Sequence, residues 1–90
     1  MPLAYTAPVV FVETHAFSVL IRGLLPDDSF RLLRAALSGN PELGVVIPGT
    51  RGIRKIRWAG SGHGKRGGVR VLYYSHPVSR TILFLFAFSK

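Results

Sequence analysis

Apolar residues follow two different periods along this chain. From Phe17 to Leu37 they recur every three or four positions, and after Ile53 the pattern changes to a period of two. Before either pattern begins, Pro8 precedes VVFVE, a short β-branched run suited to a first strand. Thr14 is placed to cap a helix over HAFSVLIRGLL, whose Phe17, Leu20, Ile21 and Leu24 fall at helical spacing. Gly23 weakens the end of that helix and Pro26 stops it. Asp27 or Asp28 can cap a second helix running through Leu37, where a carboxylate also suits the positive end of the helix dipole. Its apolar stripe is Phe30, Leu33 and Leu37, with Arg31 and Arg34 on the flanks, and Gly39, Asn40 and Pro41 form a stop signal. A tight Pro-Asp turn between the helices predicts an antiparallel pair.

Glu42 to Arg51 reads as loop, punctuated by Gly44, Pro48 and Gly49. In the following IRKIRWA the period is two, so Arg54, Ile56 and Trp58 point one way and Ile53, Lys55 and Arg57 the other. Ile56 and Trp58 mark the core side, which leaves Lys55 and Arg57 on an open face. GSGHGKRGG reads as a long loop, VRVLYY as the next strand and TILFLFAFS, after a turn around Pro77, as the last. The expected fold is therefore α+β: an N-terminal strand, a two-helix hairpin, then a three-stranded antiparallel meander, forming one small sheet with helices on one side. Ninety residues suffice for one domain, here taken as residues 1–90.

Charge changes this picture. The net charge is +8, and the stretch GIRKIRWAGSGHGKRGGVRVLYY carries six of the twelve Lys and Arg residues and no carboxylate. Charges kept only for solubility have no reason to gather in one segment, so the clustering points to a polyanionic partner, nucleic acid first. With 48% hydrophobic and 18% charged residues the chain is globular. It has no cysteine, which removes disulfides and thiolate metal sites and fits the cytoplasm. The N-terminus lacks a basic n-region, so no signal peptide is expected, and ILFLFAF is too short to span a bilayer as a helix. A peripheral membrane role ranks last, because the cations follow a strand pattern and not an amphipathic helix.

The glycine-rich loop is not a phosphate loop of the Walker type. Ala59 stands where the first glycine belongs, Arg66 stands where Ser or Thr should follow Lys65, and a strand follows instead of a helix. His15, His63 and His76 are scattered without carboxylates at useful spacing, so no metal and no cofactor is expected. A nucleophilic triad lacks its cysteine, and Ser61 lies in the loop as a linker residue. What remains is a basic sheet face flanked by aromatics. Lys and Arg hold a phosphodiester backbone, while Trp58, Tyr73, Tyr74 or Phe88 can stack on unpaired bases. Trp58 and the phenylalanines of the last strand read first as core; the two tyrosines, being adjacent in a strand, must face opposite ways.

Such a face can also cut. RNA carries its own nucleophile, the 2′-OH, and needs in-line positioning, a base, positive charge for the phosphorane and an acid for the leaving oxygen. Arginine stays protonated and cannot be the base. A lysine among several cations can, because like charges disfavour its protonated form. Composition leaves cutter and binder both open.

The order of residues adds to this. FVET-x-x-F, NPELG-x-VIPGT and GIRKIRWA-x-x-GxGKRGGVRVLYY together resemble the RelE/ParE superfamily of type II toxins, in its HigB-like branch, over Val10 to Lys90. The resemblance implies a ribosome-dependent mRNA endoribonuclease (an mRNA interferase), neutralised by a cognate antitoxin protein that joins it in repressing operator DNA. On the matching positions it assigns catalysis to Lys55, Arg57, Lys65, Arg70 and Lys90, with Lys55 as base or main charge stabiliser. Arg57 and Arg70 would hold the scissile phosphate, and Lys65 would be acid or phosphate clamp. Arg54, Arg66, Tyr73 and Phe88 are candidates for RNA binding, and His63 for proton donation. The closing Tyr-x-Lys pattern of the family reads Phe88-Ser89-Lys90 here, without the hydroxyl. Family chains usually continue into a C-terminal helix past this lysine, and none is expected within these residues. The implied partners are antitoxin, mRNA and ribosome. The alternative is a non-catalytic RNA- or antitoxin-binding module of the same fold.

Overall fold

The structure, a computed structural model, describes residues 8–59 and 68–89. Its elements are β1 (Val10–Glu13), α1 (His15–Arg22), α2 (Asp27–Gly39), β2 (Val45–Val46), β3 (Arg54–Trp58), β4 (Val69–His76) and β5 (Thr81–Ser89). The strands form a five-stranded sheet in the order β1-β5-β4-β3-β2. β2–β3, β3–β4 and β4–β5 pair antiparallel, whereas β1 lies parallel to β5, with Val10 opposite Thr81 and Glu13 opposite Phe84. The sheet is thus mixed and wider than the expected meander plus one strand. β2 falls in the segment expected to be loop. Two residues at an edge are too few to show alternation, and both valines are exposed.

α1 begins where Thr14 predicts it: the threonine oxygen accepts from the Phe17 amide at 3.0 Å. It ends sooner than expected, at Arg22, with Gly23 as its cap. The buried residue beyond it is then Leu25, not Leu24. α2 is capped by Pro26, which offers no side-chain bond. Asp27 and Asp28 both lie in its first turn, where they face the helix dipole without capping it.

Both helices cover one face of the sheet. Phe17 and Ile21 of α1 and Leu33 and Leu37 of α2 share a single buried cluster with Ile56, Val71, Ile82 and Phe84 of the strands. At its centre the Phe84 ring stacks on Phe17 at 4.8 Å and on Phe11 at 5.7 Å, and meets Phe30 edge-on at 5.4 Å. Emptying such a position is costly, about 3–5 kcal/mol for Phe to Ala. Trp58 closes the side of this layer: its indole N–H donates to the Ser29 carbonyl at 3.0 Å, tying β3 to the start of α2.

One irregularity decides what the other face carries. Leu72 is paired with Phe86 but Tyr73 with Phe84, so Leu85 is an extra residue in β5, a β-bulge. Before the bulge Ile82 and Phe84 face the core; after it Ala87 does. Phe86 and Phe88 are thereby turned outward, 43% and 38% exposed. Thr14 holds this bulge, donating its hydroxyl to the Leu85 carbonyl at 2.9 Å while it caps α1.

Candidate nucleic-acid interface

The uncovered sheet face is built from cross-strand rows. Arg57 stands opposite Arg70, and Arg70 opposite Phe88; in the next row Lys55 stands opposite Leu72, and Leu72 opposite Phe86. Directly opposed residues in a ladder project from the same side, with α-carbons about 4.5–5.5 Å apart. Lys55, Arg57 and Arg70 are thus brought to one face. Lys55 and Arg57 are exposed and Arg70 is partly so. The Arg70 guanidinium reaches back to the Gly68 carbonyl at 3.5 Å. Gly68 itself has φ +48, and a β-carbon there would come within 3.1 Å of the Trp58 carbonyl oxygen, so the chain enters β4 tightly against β3.

Beside the cations lie the two exposed phenylalanines, their ring centroids 6.3 Å apart. The face therefore runs from charge on β3 and β4 to aromatic surface on β5. A polyanion with planar bases requires both, in adjacent strips: ammonium and guanidinium groups for phosphate, rings for bases. Phe88 stands where an RNA-stacking residue was expected. The apolar run of the last strand reads Phe86 as core; only the bulge, which leaves no mark in such a run, brings it out.

Two expected RNA contacts project from the helix-covered side of the sheet and are engaged by backbone groups there. Arg54 lies on the opposite side of β3 from Lys55, and its guanidinium donates to the carbonyls of Gly44 at 2.7 Å and Glu42 at 3.2 Å. Tyr73 is fully buried; its hydroxyl donates to the Pro41 carbonyl and accepts from the Gly44 amide, each at 2.8 Å. Burial pushes the Tyr73 hydroxyl above the ordinary tyrosine range, with Glu42 adding to the rise, and the Gly44 bond and the Arg54 charge oppose it. Both side chains fasten the segment 40–44 to the sheet. Gly44 is required there by close approach, since a β-carbon would lie 2.9 Å from the Tyr73 ring. Alternation already put Arg54 on the core side, and the Tyr73–Tyr74 pair had to split. What the sequence did not say was that 40–44 would offer Arg54 its carbonyls.

Tyr74 is the tyrosine on the open face, opposite Leu83. Lys65, Arg66, His63 and Lys90 lie outside the described residues. Among the described residues no group of His, Cys, Asp or Glu is arranged to hold a metal ion. No known protein-family model matches the chain.

Proposed function

We propose that this chain is a toxin of the RelE type, HigB-like branch: an endoribonuclease that cuts mRNA in the ribosomal A site. The observation that carries the reading is the shared placement of Lys55, Arg57 and Arg70 on the sheet face that the helices leave open. Lys55 takes the proton of a 2′-OH, whose oxygen attacks the adjacent phosphorus. Arg57 and Arg70 hold the phosphate and the extra negative charge of the phosphorane. The P–O5′ bond breaks, a proton passes to the departing 5′ oxygen, and a 2′,3′-cyclic phosphate remains. Lys65 and Lys90 enter by resemblance, as proton donor or phosphate clamp. Phe86 and Phe88 stack on the bases that flank the cut.

The partner follows from the same face. An antitoxin that neutralises it brings carboxylates for the cations and an apolar helix or strand for the phenylalanines. Among the described residues no helix is long and apolar enough to cross a membrane, and we assign the protein to the cytoplasm, with mRNA and ribosomes.

Primer extension on cellular mRNA after induced expression tests the reading. Discrete cuts within translated frames, absent for Lys55→Ala, are expected. Intact message with growth arrest retained would replace it with the second reading, a binding module without cleavage, which the hydroxyl-free Phe88 also suits.

A further inference from the structure

The cleavage chemistry leaves one end of the open face unused. Along β4, Arg70, Leu72 and Tyr74 follow one another on that face. At about 3.4 Å per residue, Tyr74 lies some 7 Å past the row that holds Lys55. Its ring is set against Gly52, which has φ +115 and where a β-carbon would come within 3.2 Å of the Tyr74 Cε1. Arg51, just before it, also takes a left-handed backbone conformation, φ +62, uncommon for a residue with a side chain. The turn thus passes close against the tyrosine ring.

Beside the ring is a cleft of about 170 Å³ lined by Glu42, Arg51, Gly52, Arg54, Tyr74 and Ser75. It is small against the roughly 300–1,000 Å³ of sites for larger ligands, so it suits one planar group. Glu42 in the lining disfavours a phosphate as the occupant, since its carboxylate and a phosphate repel. Glu42 is one of only four acidic residues in the chain, and it shares the lining of this cleft with two arginines, Arg51 and Arg54. Carboxylate oxygens accept hydrogen bonds and arginines donate them. A nucleobase edge that fits both offers adjacent N–H donors next to a carbonyl. Guanine does, through N1–H, N2–H and O6. Uracil would set a carbonyl oxygen against the carboxylate.

We propose that this cleft reads an unpaired guanine neighbouring the cut: Tyr74 stacks on the base, Glu42 accepts from N1–H and N2–H, and Arg51 donates to O6. The assignment rests on the RNA-cleaving reading and names a base preference for that site. Glu42→Gln tests it with the fold intact, since the hydrogen bonds of Glu42 to Asn40 and Arg54 run through its backbone.

The probes are fluorescent single-stranded oligonucleotides, 2′-O-methylated so that no nucleophile remains, one of uridine only and one with a single guanosine. Fluorescence anisotropy on the full chain should give about tenfold tighter binding of the guanosine probe. Glu42→Gln should erase that difference without weakening the uridine probe, and Tyr74→Ala should bring the guanosine probe down to the uridine level. Equal affinities in the unaltered protein, or a preference that survives Glu42→Gln, would overturn the assignment and leave the cleavage reading standing. Failure to bind either probe would overturn the guanine assignment, while the cleavage reading stands or falls separately on the primer-extension cuts.

Discussion

Arg57 and Arg70 stand directly opposite each other in the ladder between β3 and β4. Like charges at such a position destabilise a sheet. Their repulsion is screened by salt, since the Debye length falls from about 10 Å at 0.1 M to about 3 Å at 1 M. Urea unfolding at low and high sodium chloride should therefore show salt stabilising the unaltered protein more than Arg57→Gln. The same variant should lower the salt slope of single-stranded RNA binding by about 0.7 if Arg57 contacts one phosphate. An unchanged slope would remove Arg57 from the proposed RNA contact, whatever the stability data say.

Lys55 is asked to do two separable things in the proposed reaction, to carry charge and to accept a proton. It is exposed on the open face, so replacing it should leave the fold intact. Lys55→Arg keeps the charge and cannot act as a base at neutral pH. If Lys55 is the base, the arginine variant should bind RNA normally and cut no better than Lys55→Ala in a reconstituted translation assay. Appreciable cutting by the arginine variant would reassign Lys55 to charge stabilisation.

Thr14 joins the first helix to the bulge that shapes the candidate site. Thr14→Val removes both the cap to Phe17 and the bond to the Leu85 carbonyl, at similar volume. A lost N-cap alone costs about 0.5–2 kcal/mol. Denaturant melts should show a loss in that range or somewhat above it. Amide hydrogen exchange should also quicken around Leu85 and Phe86 beyond the rate set by global unfolding. Faster exchange spread evenly over the chain would mean that Thr14 merely caps α1.

The sequence revealed elements more readily than their neighbours in space. The helix signals from Phe17 to Leu37 and the alternation from Ile53 onward correspond to α1, α2, β3 and β4, because each pattern is local and repeats. Alternation also separated Lys55 and Arg57 from Ile56. The parallel pairing of β1 with β5 joins positions some seventy residues apart, and VVFVE carries no trace of its partner. The bulge at Leu85 was hidden for a different reason. In TILFLFAFS nearly every position is apolar, so inward and outward phases look alike and a one-residue slip costs nothing visible. Tyr73 and Arg54 were drawn toward RNA by residue type alone; their partners are backbone groups of segment 40–44, which no side-chain pattern announces.

The Tyr73 hydroxyl ties that segment to the sheet, and its titration gives the bond a signature in pH. Removing it by Tyr73→Phe leaves the Gly44 amide and the Pro41 carbonyl without this partner, a loss of about 1–3 kcal/mol. Burial raises the folded-state value of this hydroxyl above that of the unfolded chain. As pH climbs past about 10, the unfolded chain releases the tyrosine proton while the folded chain still holds it. The unfolded state then binds fewer protons, so stability falls as pH rises. Below that range the contribution is constant. Urea melts of the two proteins from pH 7 to 11 should differ by a fixed amount up to about pH 9.5 and then converge. Taking the difference between them cancels the titration of the lysines and of the other tyrosines. A gap that stays constant to pH 11 would mean that the Tyr73 proton is no more firmly held in the fold than in the open chain. The two hydrogen bonds would then be stabilising 40–44 without the desolvation that burial imposes.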